Sequence, residues 1–149
     1  MTPETDLFVN VQRFYARQMR MLDEGLTAQW ADTFTPDGVF AQNVAPAPLC
    51  GRAAIAAAAS GRVETLRREG MVRRHWLGML EVEQRQDGTV WTRYYALAMG
   101  TPRDGPLNVY VSTVNEDILL QTADGLRVIH RQVLHDGYRG PVTADRSDG

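Results

Sequence analysis

The sequence predicts an α+β fold, with three helices packed on one face of a strongly curved, mainly antiparallel sheet. Three observations lead there. Helical spacing and helix punctuation are confined to the stretch before Gly70. After Gly70 come four long apolar-rich runs separated by short turn signals, the pattern of a meander. Those runs exceed the five or six residues of an ordinary strand, so the sheet must coil, and its open end makes a natural small-molecule pocket.

The elements follow in order. Thr2 caps a first helix, with Pro3 in its first position and Glu4 and Asp6 in its first turn. Leu7, Val11, Phe14, Gln18 and Leu22 recur at helical spacing, and Gly25 ends the helix. Thr27 opens a short second helix carrying Trp30, Ala31 and Phe34. Thr35-Pro36-Asp37-Gly38 reads as a turn, and Val39 to Asn43 as a short strand. Gly51 precedes a third helix over 52–69, rich in Ala and Arg. The four strands are expected at 72–86, 89–100, 107–121 and 126–136. Asp87-Gly88 marks a two-residue hairpin loop, and residues 122–125 a second turn. Residues 1–136 are expected to form one domain, and the polar residues 137–149 a flexible tail.

Composition narrows the chemistry. The chain has 149 residues, 44% hydrophobic and 23% charged, with a net charge of −2, so no nucleic-acid footprint is visible. No apolar run is long enough for a membrane span, and the N-terminus does not read as a signal peptide. The single cysteine, Cys50, excludes an intrachain disulfide and suits a reducing cytoplasm. All 16 basic residues are Arg, so lysine Schiff-base chemistry and a Walker-type P-loop are excluded. The three histidines, His75, His130 and His135, lack metal-ligand spacing, so neither a metal nor another cofactor is expected. His75, opening the first long strand, is the leading candidate for a proton-transfer residue near pH 7.

Four segments carry a family resemblance: Tyr15 through Leu22-Asp23-Glu24-Gly25; Trp30 through Phe40; Gly51-Arg52-Ala53-Ala54-Ile55; and Arg74-His75-Trp76-Leu77-Gly78. With them the chain resembles the SnoaL-like members of the NTF2-like superfamily. That group includes polyketide cyclases, scytalone dehydratase, ketosteroid isomerase and small subunits of ring-hydroxylating dioxygenases. The resemblance implies an NTF2-like cone and a His–Asp pair at the positions of His75 and Asp23, the imidazole moving a proton and the carboxylate orienting it. The ketosteroid isomerase arrangement, a strand Asp with a Tyr–Asp oxyanion hole, finds no convincing match.

The expected function is therefore a cofactor-independent cyclase, dehydratase or isomerase acting on an aromatic polyketide-like intermediate. A binding protein that protects or delivers such an intermediate, and a dioxygenase small subunit, are the alternatives. Tyr15, Gln18, Tyr94, Tyr110, Ser112 and Arg131 are candidate substrate contacts. For the middle-strand residues Tyr94, Tyr110 and Ser112 a structural role competes with ligand binding, and for Gln18 the two readings balance. Arg131, between Ile129 and Val133, lies at either an interface or a cavity with a paired carboxylate; if it points inward, His130 points outward. Both faces of the sheet look apolar, with Leu77 and Met79 on the face of His75 and Trp76, Leu80 and Val82 on the other, which implies a homodimer through the outer face.

Overall fold

The computed structural model describes residues 1–138; the expected tail lies, from residue 139 onward, outside the described residues. Helix α1 spans Pro3–Asp23, α2 Thr27–Ala31 and α3 Arg52–Arg68; the strands are β1 Phe34–Gln42, β2 Leu49–Cys50, β3 Met71–Gln84, β4 Val90–Pro102, β5 Asn108–Thr122 and β6 Gly125–His135. One six-stranded sheet has the order β2-β1-β6-β5-β4-β3. The last four strands form an antiparallel meander, and β1 joins β6 in parallel.

Helix α1 begins as its sequence dictates. The Thr2 hydroxyl accepts from the Thr5 backbone N–H at 3.2 Å, and Pro3 fills the first turn. Replacing Thr2 by Ala is expected to cost about 1 kcal/mol of stability, read from a urea unfolding midpoint at unchanged m-value. Gly25 sits just past the helix end at φ 79°, a left-handed conformation that glycine adopts without penalty. The buried stripe of α1 is Val11, Phe14, Tyr15, Gln18 and Leu22, and its final residue, Asp23, turns toward β3. Trp30, Phe34, Ile55, Val90, Leu119 and Val128 complete the core beneath it. Each fully buried side chain of this class contributes roughly 1.5–3 kcal/mol relative to exposure.

Bulges curve the sheet and reset which side chains face inward. On β3 the register shifts between Gly78 and Glu81, with Met79 at φ 53°. His75 and Leu77 face the interior as alternation requires, but Met79 is 77% exposed, while Leu80 and Val82 pack on the core. This corrects the expectation that Met79 shares the face of His75, and that Leu80 and Val82 share that of Trp76. On β5 the shift falls at Tyr110, and between β5 and β6 it falls at Ile129.

Other local expectations change as well. Helix α2 stops at Ala31, so Phe34 opens β1 instead of riding on the helix, and the Thr35–Gly38 segment is not a separate turn; it lies inside β1, as an irregularity between Phe34 and Val39 where the strand meets β6. The first hairpin closes through a pair between Arg85 and Thr89 with Gly88 at φ 86°, so its loop has three residues rather than two. The Asp87 carboxylate holds that loop by accepting from the Thr89 N–H and hydroxyl at 3.0 and 2.6 Å. The two-residue strand β2 carries too little sequence to be foreseen.

Candidate functional site

The cone encloses a cavity of about 400 Å3 between α1, α3 and the concave face of the sheet. Its wall is mainly apolar, with Leu22, Trp30, Phe40, Ile55, Ala96 and Val133 among the lining residues. The polar lining is sparse: His75, Arg73, Tyr110, Asn115, Arg131 and His135 are its main members. A mostly apolar cavity with a few placed polar groups suits a small cyclic ligand.

His75 borders this cavity and is held from behind by Asp23. The Asp23 carboxylate lies 2.6 Å from His75 Nδ1 through Oδ1, and its Oδ2 accepts the His75 backbone N–H at 2.9 Å. A carboxylate at a helix C-terminus opposes the helix dipole. These two tertiary hydrogen bonds offset that cost and fix the rotamers of both residues. A carboxylate accepts but does not donate, so Nδ1 carries the proton, and in the neutral ring Nε2 keeps its lone pair. Nε2 has no hydrogen-bond partner among the described residues. The side chains are 17% and 8% exposed, so the imidazole reaches the cavity while Asp23 is nearly sealed beneath it. A dyad of this geometry is able to take a proton at Nε2 and give it back.

A second polar cluster lies deeper. Arg131 and Asp117 are 2% and 1% exposed. Arg131 Nε donates to Asp117 Oδ1 at 3.0 Å, and Nη2 donates to Asp117 Oδ2 at 2.9 Å and to Gln18 Oε1 at 2.8 Å. The Tyr15 and Tyr94 hydroxyls also donate to Asp117 Oδ2, at 2.7 and 3.0 Å. Thr92 bonds the Tyr15 hydroxyl at 2.5 Å, and Gln18 Nε2 donates to the Thr33 hydroxyl at 2.7 Å. Burial, reinforced for Tyr15 by the Asp117 charge, pushes both phenol pKa values well up, so both keep their protons. Burial opposes the charge on Arg131, but the Asp117 carboxylate outweighs it and holds the pKa above the usual value. The guanidinium also lies over the rings of Phe34, Tyr15 and Tyr94, at 5.4–6.0 Å.

The expected site residues thus separate into groups. His75 and Asp23 are brought together, and Tyr110 and Arg131 border the cavity. Tyr15, Gln18 and Tyr94 have their polar atoms committed to the Asp117–Arg131 network, where they brace Arg131. Tyr15 and Tyr94 border a separate, more open groove between α1 and β3. Ser112 is exposed on the other face of β5 and donates to Asp136 at 2.6 Å, away from the cavity.

Sequence reasoning misses Asp117, Arg73, Asn115 and His135. Asp117 is a carboxylate on a middle strand with the hydroxyls of Tyr15 and Tyr94 beside it. Its pairing with Arg131, however, leaves both its oxygens occupied. His135 Nε2 bonds Gln42 Oε1 at 2.9 Å, and burial holds its pKa below the ordinary value, which favours the neutral ring. Among the described residues no group of acidic, His and Cys side chains gathers that could hold a metal, and no helix is long and apolar enough to cross a membrane.

Comparison with known proteins fits this geometry. The family model of the SnoaL-like domain matches residues 4–132. The chain belongs to the SnoaL-like family. Among solved structures, this SnoaL-like protein is similar to Aln2 from a Streptomyces species, at 34% identity and a TM-score of 0.82, covering 91% of this chain and 95% of that one. A Catenulispora acidiphila protein solved in complex with S-DNPA is 40% identical, with a TM-score of 0.77 and coverage of 89% and 95%. An NTF2-like protein with a cystatin-like fold from Novosphingobium aromaticivorans is 26% identical, with a TM-score of 0.74 and coverage of 87% and 82%. The β subunit of a putative aromatic-ring-hydroxylating dioxygenase from the same organism, at 20% identity and a TM-score of 0.69, shares the fold alone. No curated protein matches the SnoaL-like chain.

Proposed function

We propose that the protein transfers a proton next to a carbonyl of a cyclic, aromatic polyketide-like molecule, as a cofactor-independent cyclase, dehydratase or isomerase. The observation that carries this reading is the buried Asp23–His75 contact of 2.6 Å, with Nε2 left available beside an apolar cavity. His75 Nε2 removes the acidic proton, and Asp23 stabilises the imidazolium that forms. Arg131 Nη1, which has no hydrogen-bond partner among the described residues, and Tyr110 steady the developing enolate oxygen from the cavity lining. SnoaL-like membership supports the substrate class, since polyketide cyclases and dehydratases share that resemblance.

Turnover of candidate bicyclic and tricyclic hydroxyketones by wild type and His75→Ala tests the reading. A fall of about 10²–10⁴-fold is expected; equal rates on a converted substrate remove His75 from the mechanism. A second reading, binding and protection without turnover, is favoured by the relative that binds S-DNPA. Affinity without conversion, unaffected by His75→Asn, would select it. The expected homodimer would cover the outer sheet face, where Val72, Trp76, Tyr95 and Val109 are 50–69% exposed; a monomer by analytical ultracentrifugation would count against it.

A further inference from the structure

The cavity has a charge of its own. The chain carries more acidic than basic residues, 18 against 16. The cavity lining reverses this: it includes Arg62, Arg73, Arg131, His75 and His135, and no Asp or Glu. Arg131 is neutralised by Asp117, and His75 is backed by Asp23. Arg62 and Arg73 have no such partner; among the described residues neither makes a salt bridge.

Arg73 lies two residues before His75 on β3 and shares its inward face. It is half-buried, and its Nε is a buried donor without a hydrogen-bond partner among the described residues. Burial pushes its pKa down and nearby Arg62 adds to that, against the opposing pull of Tyr110 and Asp23. Arg62 reaches the same cavity from the exposed face of α3. Two guanidinium groups face one cavity, and the nearby Asp23 carboxylate is already engaged by His75; a bound anion relieves their repulsion and satisfies the orphaned donor. Of the four buried side-chain atoms without a partner among the described residues, three, on Trp30, Arg73 and Asn115, belong to lining residues.

We infer that Arg62 and Arg73 form an anion subsite in the cavity that His75 borders, and that the natural ligand is an aromatic molecule bearing a carboxylate, held by the arginines while its ring system fills the apolar space. The inference rests on the reading of this cavity as a small-molecule site and adds the ligand's charge to it. The carboxylate anchors one end of the molecule, so the position of the carbonyl relative to the acid decides which ring carbon faces Nε2.

The probes are 2-naphthylacetate and its methyl ester, which share the ring system and differ in charge. Binding is followed by quenching of Trp30, which lines the cavity. Wild type is expected to bind the acid about tenfold or more tightly than the ester, and added salt should weaken only the acid. Arg73→Met and Arg62→Met should each narrow the preference, and the double variant should abolish it. Ester affinity should stay within about twofold throughout, which shows that the variants remain folded. Equal binding of the two probes by wild type, or a preference that survives in the double variant, overturns the anion subsite alone. A wild type that binds neither probe overturns the small-molecule reading along with it.

Discussion

Asp117→Ala is expected to destabilise the protein by about 3–5 kcal/mol, the cost of leaving one member of a buried ion pair uncompensated. Arg131 would keep its charge at 2% exposure and lose two of its three hydrogen bonds, and the Tyr15 and Tyr94 hydroxyls would lose their shared acceptor. For a chain of this length that corresponds to a fall in Tm on the order of 10 °C. The paired replacement Asp117→Leu with Arg131→Met removes both charges together and should recover much of the loss, because a buried ion pair is repaid poorly relative to apolar residues of similar volume. Urea unfolding of the two variants checks this. An Asp117→Ala protein within about 1 kcal/mol of wild type would mean that the network contributes little, and a double variant no better than the single would mean that the cost lies in packing rather than charge.

The same network shows where the sequence stops being legible. The turn between Thr122 and Gly125 can be read from the sequence, and an unbroken ladder from it would set Arg131 opposite Glu116. The extra residue at Ile129 slips the register by one, so that Arg131 faces Asp117 instead. Alternation along a strand says which residues share a face, but only until the first bulge, and the sheet has bulges on β3, β5 and between β5 and β6. Met79 is misplaced for that reason. Tyr110 and Val111 both border the cavity, although they are consecutive.

Before a bulge the reading works. Arg73, His75 and Leu77 lie on one face as the two-residue period requires, so Arg73 is visible in principle beside His75. The helices are legible almost to the residue, because Thr2, Pro3, Gly25 and Gly70 punctuate them. The partner of His75 is legible by family position, and its helix-end location supplies an independent hint, since an unfavourable carboxylate there calls for a compensating donor. Tyr15, Gln18 and Tyr94 can be placed in the interior, but the identity of their partners depends on Asp117, which lies on a distant strand.

The second large effect concerns the dyad. Asp23→Asn retains a carbonyl oxygen able to accept the His75 backbone N–H, so the fold should persist. The amide can donate to Nδ1, and that favours the tautomer with its proton on Nε2. The lone pair then faces the substituted amide rather than the ligand, and the base is lost without removal of the imidazole. His75→Gln removes the base outright. Both variants should therefore retain ligand affinity within a few fold and lose proton transfer by about 10²–10⁴-fold.

Exchange of the α-protons of 2-tetralone in D2O, followed by proton NMR, tests proton transfer without knowledge of the natural substrate. The wild-type protein is expected to accelerate the loss of these protons above the buffer rate, while His75→Gln and Asp23→Asn bring it back close to that rate. Acceleration by both variants equal to that of wild type would contradict the assignment of His75 and Asp23 as the proton-transfer pair.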